Sequence, residues 1–364
     1  MQTSRETIAA LLSGGRAERV GLYESIWPDT LEMWVADGYP VDAEGKPKNS
    51  FDVFEYDLGR LGGAFDPSPW PGQYICLEQT DEWEIIVNSA GVTQKVWRNK
   101  SAPAGPIAWQ LTGPKEWEAA FKPQFLRTDA SRVPSEELRQ GVSAHREANR
   151  WLCFNMSFIW ENFRQAVGDV CIYESLVLDP EWVKDYNRTT LDFYIRHFDL
   201  AFDNACVPDG VWLSEDLAYN QGLFCSPRVL ETLVFPYYRA FNDYLHGKGL
   251  KVILHSCGNI EQALPMIVEA GFDALHPLQV HAGCDPLSIA RRYGDRLALL
   301  GGLDTHLLER GNAAEIEDAQ VRLMDGMRDA GARYIFSSDH SISTNVAYDT
   351  YRRVIDTYHK QCGR

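Results

Sequence analysis

Long hydrophobic segments are absent from this chain of 364 residues. The apolar run at residues 8–12 is too short for the core of a signal peptide. No later stretch reaches the roughly 18 uninterrupted apolar residues that a membrane-spanning helix needs. We therefore expect a soluble, cytoplasmic protein without a membrane partner.

An excess of basic residues is also missing. The chain has 51 acidic and 35 basic residues, which gives a net charge of -16 at pH 7. A protein with this charge repels phosphate backbones and anionic lipid surfaces. The composition therefore predicts that nucleic acid is not a partner.

The eight cysteines lack the regular spacing of a disulfide framework. Because 45% of the residues are hydrophobic, a chain of this length can bury a large core without covalent staples. We expect most of the cysteines to be reduced and buried.

The pattern of the chain changes near residue 130. Before it, the sequence is irregular and rich in aromatic residues, with helices predicted at residues 5–12 and 28–37 and a hairpin at residues 83–87 and 92–97. We interpret residues 1–130 as a cap of helices and a hairpin. Residues 131–364 are predicted to form the main barrel units, because strands and helices alternate from about residue 150 onward. The two parts together are expected to make one structural domain.

Polar residues gather at the C-terminal ends of five consecutive predicted strands. In a (β/α)8 barrel these ends converge on one mouth, where the active site lies, whereas an open sheet would bring only one or two of them together. The pattern therefore predicts an α/β protein with a TIM (β/α)8 barrel and an elaborated N-terminal segment. The five groups are Glu215 and Asp216; His255 and Cys257; His276, Gln279 and His281; Asp304 and His306; and Asp339 and His340.

The pair His255 and Cys257 has the spacing of metal ligands. Side chains two positions apart in a strand point to the same face, and Gly258 lets the backbone turn directly afterwards. A catalytic zinc ion commonly has three protein ligands and one open position. We predict His340 as the third ligand, and the competing candidates are Cys284, Asp339 and Asp216. The alternative is that His255 is a polar barrel residue satisfied by a neighbour.

The acidic pair Glu215 and Asp216 follows a predicted strand, where a general acid or base belongs. An acidic pair in this position can equally cap the next helix. His276 is predicted to support a neighbouring site residue or to have a structural role because Pro277 follows it, and His281 and His306 are compatible with surface loops.

Four segments resemble the superfamily of uroporphyrinogen decarboxylases and corrinoid-linked methyltransferases. The similarity covers most of the chain and is strongest from about residue 209 to the end. The superfamily has the TIM barrel fold, in agreement with the barrel predicted above. The matching segments are residues 226–238, 255–259, 276–279 and 301–304.

Within this superfamily, the methylcobamide:coenzyme M methyltransferases bind zinc through a His-x-Cys pair and a distant cysteine near the last strand. The pair corresponds to His255 and Cys257, and the position of the distant cysteine falls on residues 338–342, where this chain has His340. Uroporphyrinogen decarboxylases need no metal and carry an N-terminal arginine-rich motif that binds substrate carboxylates. The corresponding residues 22–28 contain no arginine. The resemblance therefore favours the methyltransferase branch.

The resemblance implies a zinc-dependent enzyme that moves a methyl group between a methoxy, methylamine or thiol substrate and a corrinoid (cobalamin). The corrinoid would be carried by a partner protein or act as co-substrate, and the aromatic N-terminal part would form its docking face. A homodimer is compatible with this reading. The alternatives are a metal-free uroporphyrinogen decarboxylase and a non-catalytic corrinoid-binding subunit. The implied roles are proton donor or substrate-orienting carboxylate for Asp216 or Glu215, and substrate or cofactor binding for Tyr219, His276, Gln279, Asp304 and Asp339.

Overall fold

The computed structural model describes residues 2–99, 104–204 and 207–363. Its central feature is a sheet of eight parallel strands with helices around it, as expected for strands connected by crossover helices. The order across the sheet is β1-β14-β13-β12-β11-β8-β7-β2. These strands are β1 (Gly21–Leu22), β2 (Leu58–Leu61), β7 (Trp151–Met156), β8 (Gly210–Ser214), β11 (Lys251–His255), β12 (Ala274–His276), β13 (Ala298–Leu300) and β14 (Tyr334–Phe336).

The sheet curls into a nearly closed barrel. The last strand, β14, pairs with the first, with Gly21 opposite Ile335. On the other side of β1, Asp57 closes the gap towards β2: its carboxylate accepts the Leu22 N–H at 2.8 Å, and its own N–H donates to the Leu22 carbonyl at 2.8 Å. The predicted TIM barrel is therefore confirmed.

Alternate residues of the strands fill the barrel interior. Trp151, Trp212 and Ile253 belong to one buried cluster inside the barrel. The intervening residues Val211 and Leu254 belong to a second cluster, which packs against the surrounding helices. Helix α1 contributes apolar side chains to the interior cluster, so it covers one end of the barrel. The opposite end is left for polar residues.

The predicted boundary at residue 130 does not separate a cap from the barrel, because β1 and β2 lie before it. Both strands are short, and two or four residues carry too little alternation to be recognised as strands in the sequence. The predicted hairpin is confirmed and belongs to a four-stranded antiparallel sheet. Its strands are β3 (Ile75–Gln79), β4 (Trp83–Val87), β5 (Val92–Trp97) and β6 (Gly105–Trp109).

The helices follow the strands in the expected alternation from β7 onward. The segment after Ser226 forms two helices, α10 and α11, because Pro236 lacks the N–H that would continue the helical hydrogen bonds. In the described part of the chain, no helix is both long and apolar enough to cross a membrane. The α-helices are α1 (Ser4–Leu12), α2 (Pro28–Val35), α3 (Ser50–Val53), α4 (Pro114–Glu116), α5 (Lys122–Phe125), α6 (Ser135–Glu147), α7 (Ile159–Val167), α8 (Asp169–Leu178), α9 (Pro180–Asn204), α10 (Pro227–Leu233), α11 (Phe235–Gly247), α12 (Leu264–Glu269), α13 (Pro286–Tyr293), α14 (Thr305–Arg310), α15 (Ala313–Asp329) and α16 (Tyr348–Cys362). A two-stranded hairpin, β9 (Ala218–Tyr219) and β10 (Gly222–Leu223), lies between β8 and α10.

Candidate active site at the barrel mouth

The C-terminal ends of β8 and β11 bring Asp216, His255 and Cys257 together. One ligand atom from each of these residues lies within 4.8 Å of the other two. The Cys257 Sγ is 3.5 Å from the His255 Nε2, which is 3.7 Å from the Asp216 Oδ1. The same carboxylate oxygen accepts the Cys257 N–H at 2.9 Å. All three side chains are half-buried, so the cluster is reachable from the mouth.

Gly258 allows the chain to turn immediately after this cluster. Its φ is +87°, and a Cβ built there would lie 2.5 Å from the backbone carbon of Ala218. A side chain would therefore push the Cys257 turn away from β9. The glycine holds the thiol and the imidazole on the same side although β11 itself ends at His255.

The three donors suit a borderline-soft metal ion such as zinc. A thiolate, an imidazole and a carboxylate are all common zinc ligands, and three protein ligands leave a position open for a substrate. They come from two different strand ends, unlike the closely paired cysteines of structural zinc sites. The residues present therefore fit a catalytic metal centre.

His276 lies opposite His255 on the neighbouring strand β12. The two Nδ1 atoms are 2.7 Å apart, so one of them carries a hydrogen and donates a hydrogen bond to the other. If His255 uses Nε2 for a metal, its Nδ1 must be the donor and His276 the acceptor. Such a partner fixes the tautomer and the orientation of a metal-ligating histidine. The predicted supporting position of His276 matches this contact.

Burial keeps the metal-free cluster uncharged at its histidine and its cysteine. Burial, together with the charges of Arg60 and His340, lowers the pKa of His255 to about 4 against the opposing effect of Asp216. Burial and the charge of Asp216 raise the pKa of the Cys257 thiol to about 12. Near neutral pH, the imidazole is therefore ready to bind a metal, whereas the thiol must first lose a proton.

Arg60 at the C-terminal part of β2 is a cation that the sequence analysis missed. Its guanidinium carbon lies 4.9 Å from the ring centre of Trp212 and 5.6 Å from that of Tyr23. Its one hydrogen bond in the described part of the chain is a 3.5 Å contact with the Ser25 Oγ, and no carboxylate there lies within salt-bridge distance. The missing N-terminal arginine motif therefore does not leave the mouth without a cation. Arg60 was not predicted as a mouth residue because its strand, β2, was not recognised in the sequence.

Glu215 is completely buried. Its carboxylate accepts the Phe158 N–H at 2.5 Å, the Trp160 N–H at 2.8 Å and the Tyr238 hydroxyl at 2.5 Å. The Phe158 and Trp160 N–H groups lie at the beginning of α7, so Glu215 caps this earlier helix, whereas the capping alternative concerned the helix that follows it. Burial raises the pKa of Glu215 to about 8, although the donors lower it. Asp216, whose side chain is 37% exposed, is the better placed of the pair to meet a substrate.

Replacement of Glu215 should destabilise the protein. We expect Glu215→Ala to cost about 3 kcal/mol in the free energy of unfolding, because several buried donors lose their acceptor. Glu215→Gln should cost less, since one oxygen remains, although its NH2 group must then face a donor. Denaturant unfolding monitored by circular dichroism measures both. Normal stability combined with lost activity in both variants would instead assign Glu215 to proton transfer.

The remaining predicted residues organise the loops of the mouth. Gln279 accepts the Gly258 N–H at 2.6 Å and so supports the Cys257 turn. Tyr219 is 47% exposed and stacks on Phe224, with ring centres 5.5 Å apart. Asp304 is the N-cap of α14 and accepts the His306 N–H.

The other proposed ligands lie outside the 4.8 Å group. His340 is exposed, yet a charge on it lowers the pKa of His255 and of His276. The buried Cys284 thiol contacts the Gly258 carbonyl at 3.6 Å. Asp339 is buried and binds the backbone of two neighbouring loops. Of the four candidates for the third ligand, the geometry favours Asp216.

Comparison with known proteins gives one match to a family model. Residues 200–361 match the model of the Uroporphyrinogen decarboxylase (URO-D) family. The matched region contains β8, β11, β12, β13 and β14 and all the residues of the cluster described above. A search of curated proteins finds no match.

Among solved structures, a methyltransferase from Methanosarcina mazei is similar over the full length. The match covers 99% of this chain and 99% of that one, with a TM-score of 0.70 and 13% sequence identity. An AP endonuclease of family 2 from Brucella melitensis matches 63% of this chain and 91% of its own, with a TM-score of 0.34 and 14% identity. At this level of identity, the first similarity establishes the barrel fold together with its N-terminal part.

Proposed function

We propose that this chain, whose residues 200–361 match the model of the uroporphyrinogen decarboxylase (URO-D) family, is a zinc-dependent methyltransferase. It would move a methyl group between a methoxy, methylamine or thiol substrate and a corrinoid carried by a partner protein. The observation that carries the proposal is the cluster of Asp216, His255 and Cys257 at the barrel mouth. The methyltransferase from Methanosarcina mazei, which has the same fold over its full length, supports the direction of the proposal.

The residues of the cluster have separate tasks in this proposal. His255 and Cys257 would hold the metal, which when bound would supply a Lewis acid for a thiol acceptor or for the heteroatom that the methyl group leaves. His276 orients His255 through the contact between their Nδ1 atoms. Asp216 is either the third ligand or the group that gives a proton to the leaving heteroatom, and these two roles exclude each other.

One observation favours a second candidate, the metal-free decarboxylation of a tetrapyrrole. Arg60 is half-buried near the mouth and has no carboxylate partner in the described part of the chain, so it is available to an acidic substrate. The Nε1–H of Trp212, which lies beside it, has no hydrogen-bond partner there. In this case Cys257 would not be needed for activity.

An anaerobic assay with cob(I)alamin tests the proposal. Protein reconstituted with zinc is incubated with cob(I)alamin and a panel of methoxy and methylamine donors, and formation of methylcobalamin is followed by its absorbance. We expect turnover with at least one donor and none in zinc-stripped or Cys257→Ala protein. Decarboxylation of uroporphyrinogen by both of those preparations, with no methyl transfer in any, would favour the second candidate.

Zinc binding at the Cys257 cluster should release about one proton per ion between pH 6 and 8. This range lies above the His255 pKa of about 4, so the imidazole has no proton to lose. It lies below the Cys257 pKa of about 12, so the thiol gives up its proton on binding. The affinity should therefore rise roughly tenfold for each unit of pH. Isothermal titration calorimetry in buffers of different ionisation enthalpy measures the number of protons.

Cys284→Ala is the matched control for this measurement, because it removes a different thiol from the same region. We expect it to release the same number of protons as the wild type. Zinc binding without proton release in the wild type would contradict Cys257 as a ligand.

A further inference from the structure

We propose that the chain holds a second divalent-metal site, formed by His281, Asp304 and His306. One ligand atom from each lies within 4.8 Å of the other two. The imidazole rings of His281 and His306 stack with their centres 3.7 Å apart, and the Nδ1 of His306 is 3.3 Å from the Asp304 Oδ1. None of these residues belongs to the cluster around Cys257. The inference therefore does not depend on the proposed methyl transfer.

A buried carboxylate fixes the two loops that carry these side chains. Asp339, which is 1% exposed, accepts the Val280 N–H at 3.1 Å and the Thr305 N–H at 2.9 Å. The Thr305 hydroxyl donates to the same carboxylate at 3.0 Å, and the His281 N–H also interacts with it. Each bonded residue is one of the three proposed ligands or the direct neighbour of one. The Asp339 carboxylate thus positions both loops that carry the ligands, as preorganised metal sites require.

Helix capping accounts for only part of this arrangement. Asp304 caps α14 with its Oδ1, which accepts the His306 N–H at 2.9 Å, while its second oxygen has no hydrogen bond in the described part of the chain. The ring nitrogens of His281 likewise have no protein partner there. A cap needs neither two histidines nor their close approach. The spare carboxylate oxygen and the imidazole lone pairs are the donors that a cation would use.

The donor set selects the class of metal. Two imidazoles and one carboxylate suit zinc and its neighbours in the transition series, whereas magnesium and calcium prefer oxygen ligands. The side chains of His306 and Asp304 are 45% and 23% exposed, so an ion can enter from solvent and keep open coordination positions. The site therefore fits an exchangeable zinc-like ion at the rim of the mouth.

Cobalt(II) titration of metal-free protein separates the two sites. Binding at Cys257 produces a thiolate-to-cobalt charge-transfer band in the near ultraviolet, which a site of histidine and carboxylate ligands lacks. We expect the Cys257→Ala variant to bind one cobalt per chain without this band. Adding His306→Ala to Cys257→Ala should raise the dissociation constant of that remaining ion at least about 10-fold.

Two further variants make the test independent of folding defects. Asp304→Asn keeps an oxygen that can cap α14, so a weaker affinity in this variant reports loss of the ligand and not of the helix. His359→Ala removes a histidine of α16 outside both clusters and should leave cobalt binding unchanged. No cobalt bound by Cys257→Ala, or unchanged affinity after the His306 and Asp304 substitutions, would overturn the proposal. Failure of methyl transfer would not affect it.

Discussion

Cys257→Ala protein is expected to lose zinc from the cluster and to transfer methyl groups more than about 100-fold more slowly than the wild type. Substitution of residues that only support a ligand already costs 10–100-fold in metal affinity or activity. Loss of the thiolate should exceed that range, because only His255 and Asp216 remain of the three grouped donors. The cobalt charge-transfer band should disappear at the same time.

A comparison with Cys284→Ala makes this expectation specific. Both thiols lie near Gly258, but Cys284 is buried and contacts the Gly258 carbonyl, and it lies outside the grouped donors. The Cys284 variant should therefore keep the zinc, the cobalt band and most of the methyl-transfer rate. Methyl transfer by a Cys257→Ala protein at the wild-type rate would remove the basis of the zinc mechanism.

The barrel could be predicted because its later strands have a clear signature. Segments such as β11 and β12 place a few apolar residues directly before a polar group, and a helix follows each of them. The first two strands lack that signature. β1 has two residues, and β2 has the residues Leu58 to Leu61 with Gly59 and Arg60 between the leucines. They are strands because β14 and β7 pair with them, which is information from elsewhere in the chain.

The candidate site was predicted to the extent that it depends on local spacing. His255 and Cys257 are two positions apart, and His276 sits at the same level of the neighbouring strand, so their proximity follows from the register of the sheet. Arg60 was missed because the strand that presents it was missed. The capping contacts of Glu215 depend on Phe158 and Trp160, more than 50 residues earlier in the chain, and no local pattern reveals such a contact.

The position of His340 depends on contacts of the same long-range kind. The loop after β14 is fixed by the buried Glu24, whose carboxylate accepts the Ser338 N–H at 2.9 Å, and by the Ile342 N–H, which donates to the Ser25 carbonyl. These contacts hold the loop against β1, and His340 is exposed there. Strand order alone indicates that this residue faces the mouth, but it does not determine how close it comes to Cys257.

Asp216→Asn should weaken zinc binding about 100-fold, whereas His340→Ala should change it less than about 10-fold. The reason is distance: the Asp216 Oδ1 lies 3.7 Å from the His255 Nε2, and His340 lies outside the grouped donors. The asparagine keeps the shape of the side chain and an oxygen that can accept the Cys257 N–H, so the turn should persist while the charge is lost. Competition with a chromophoric chelator gives both affinities.

The opposite result would reassign both residues. If His340→Ala loses the zinc and Asp216→Asn retains it, His340 must move towards His255 when the metal binds, and Asp216 becomes free to transfer a proton. The rate of methyl transfer at saturating zinc then separates the roles of Asp216. A ligand variant should recover activity as zinc is added, because only occupancy was lost, whereas a variant lacking the proton-transferring group should remain slow with the site fully occupied.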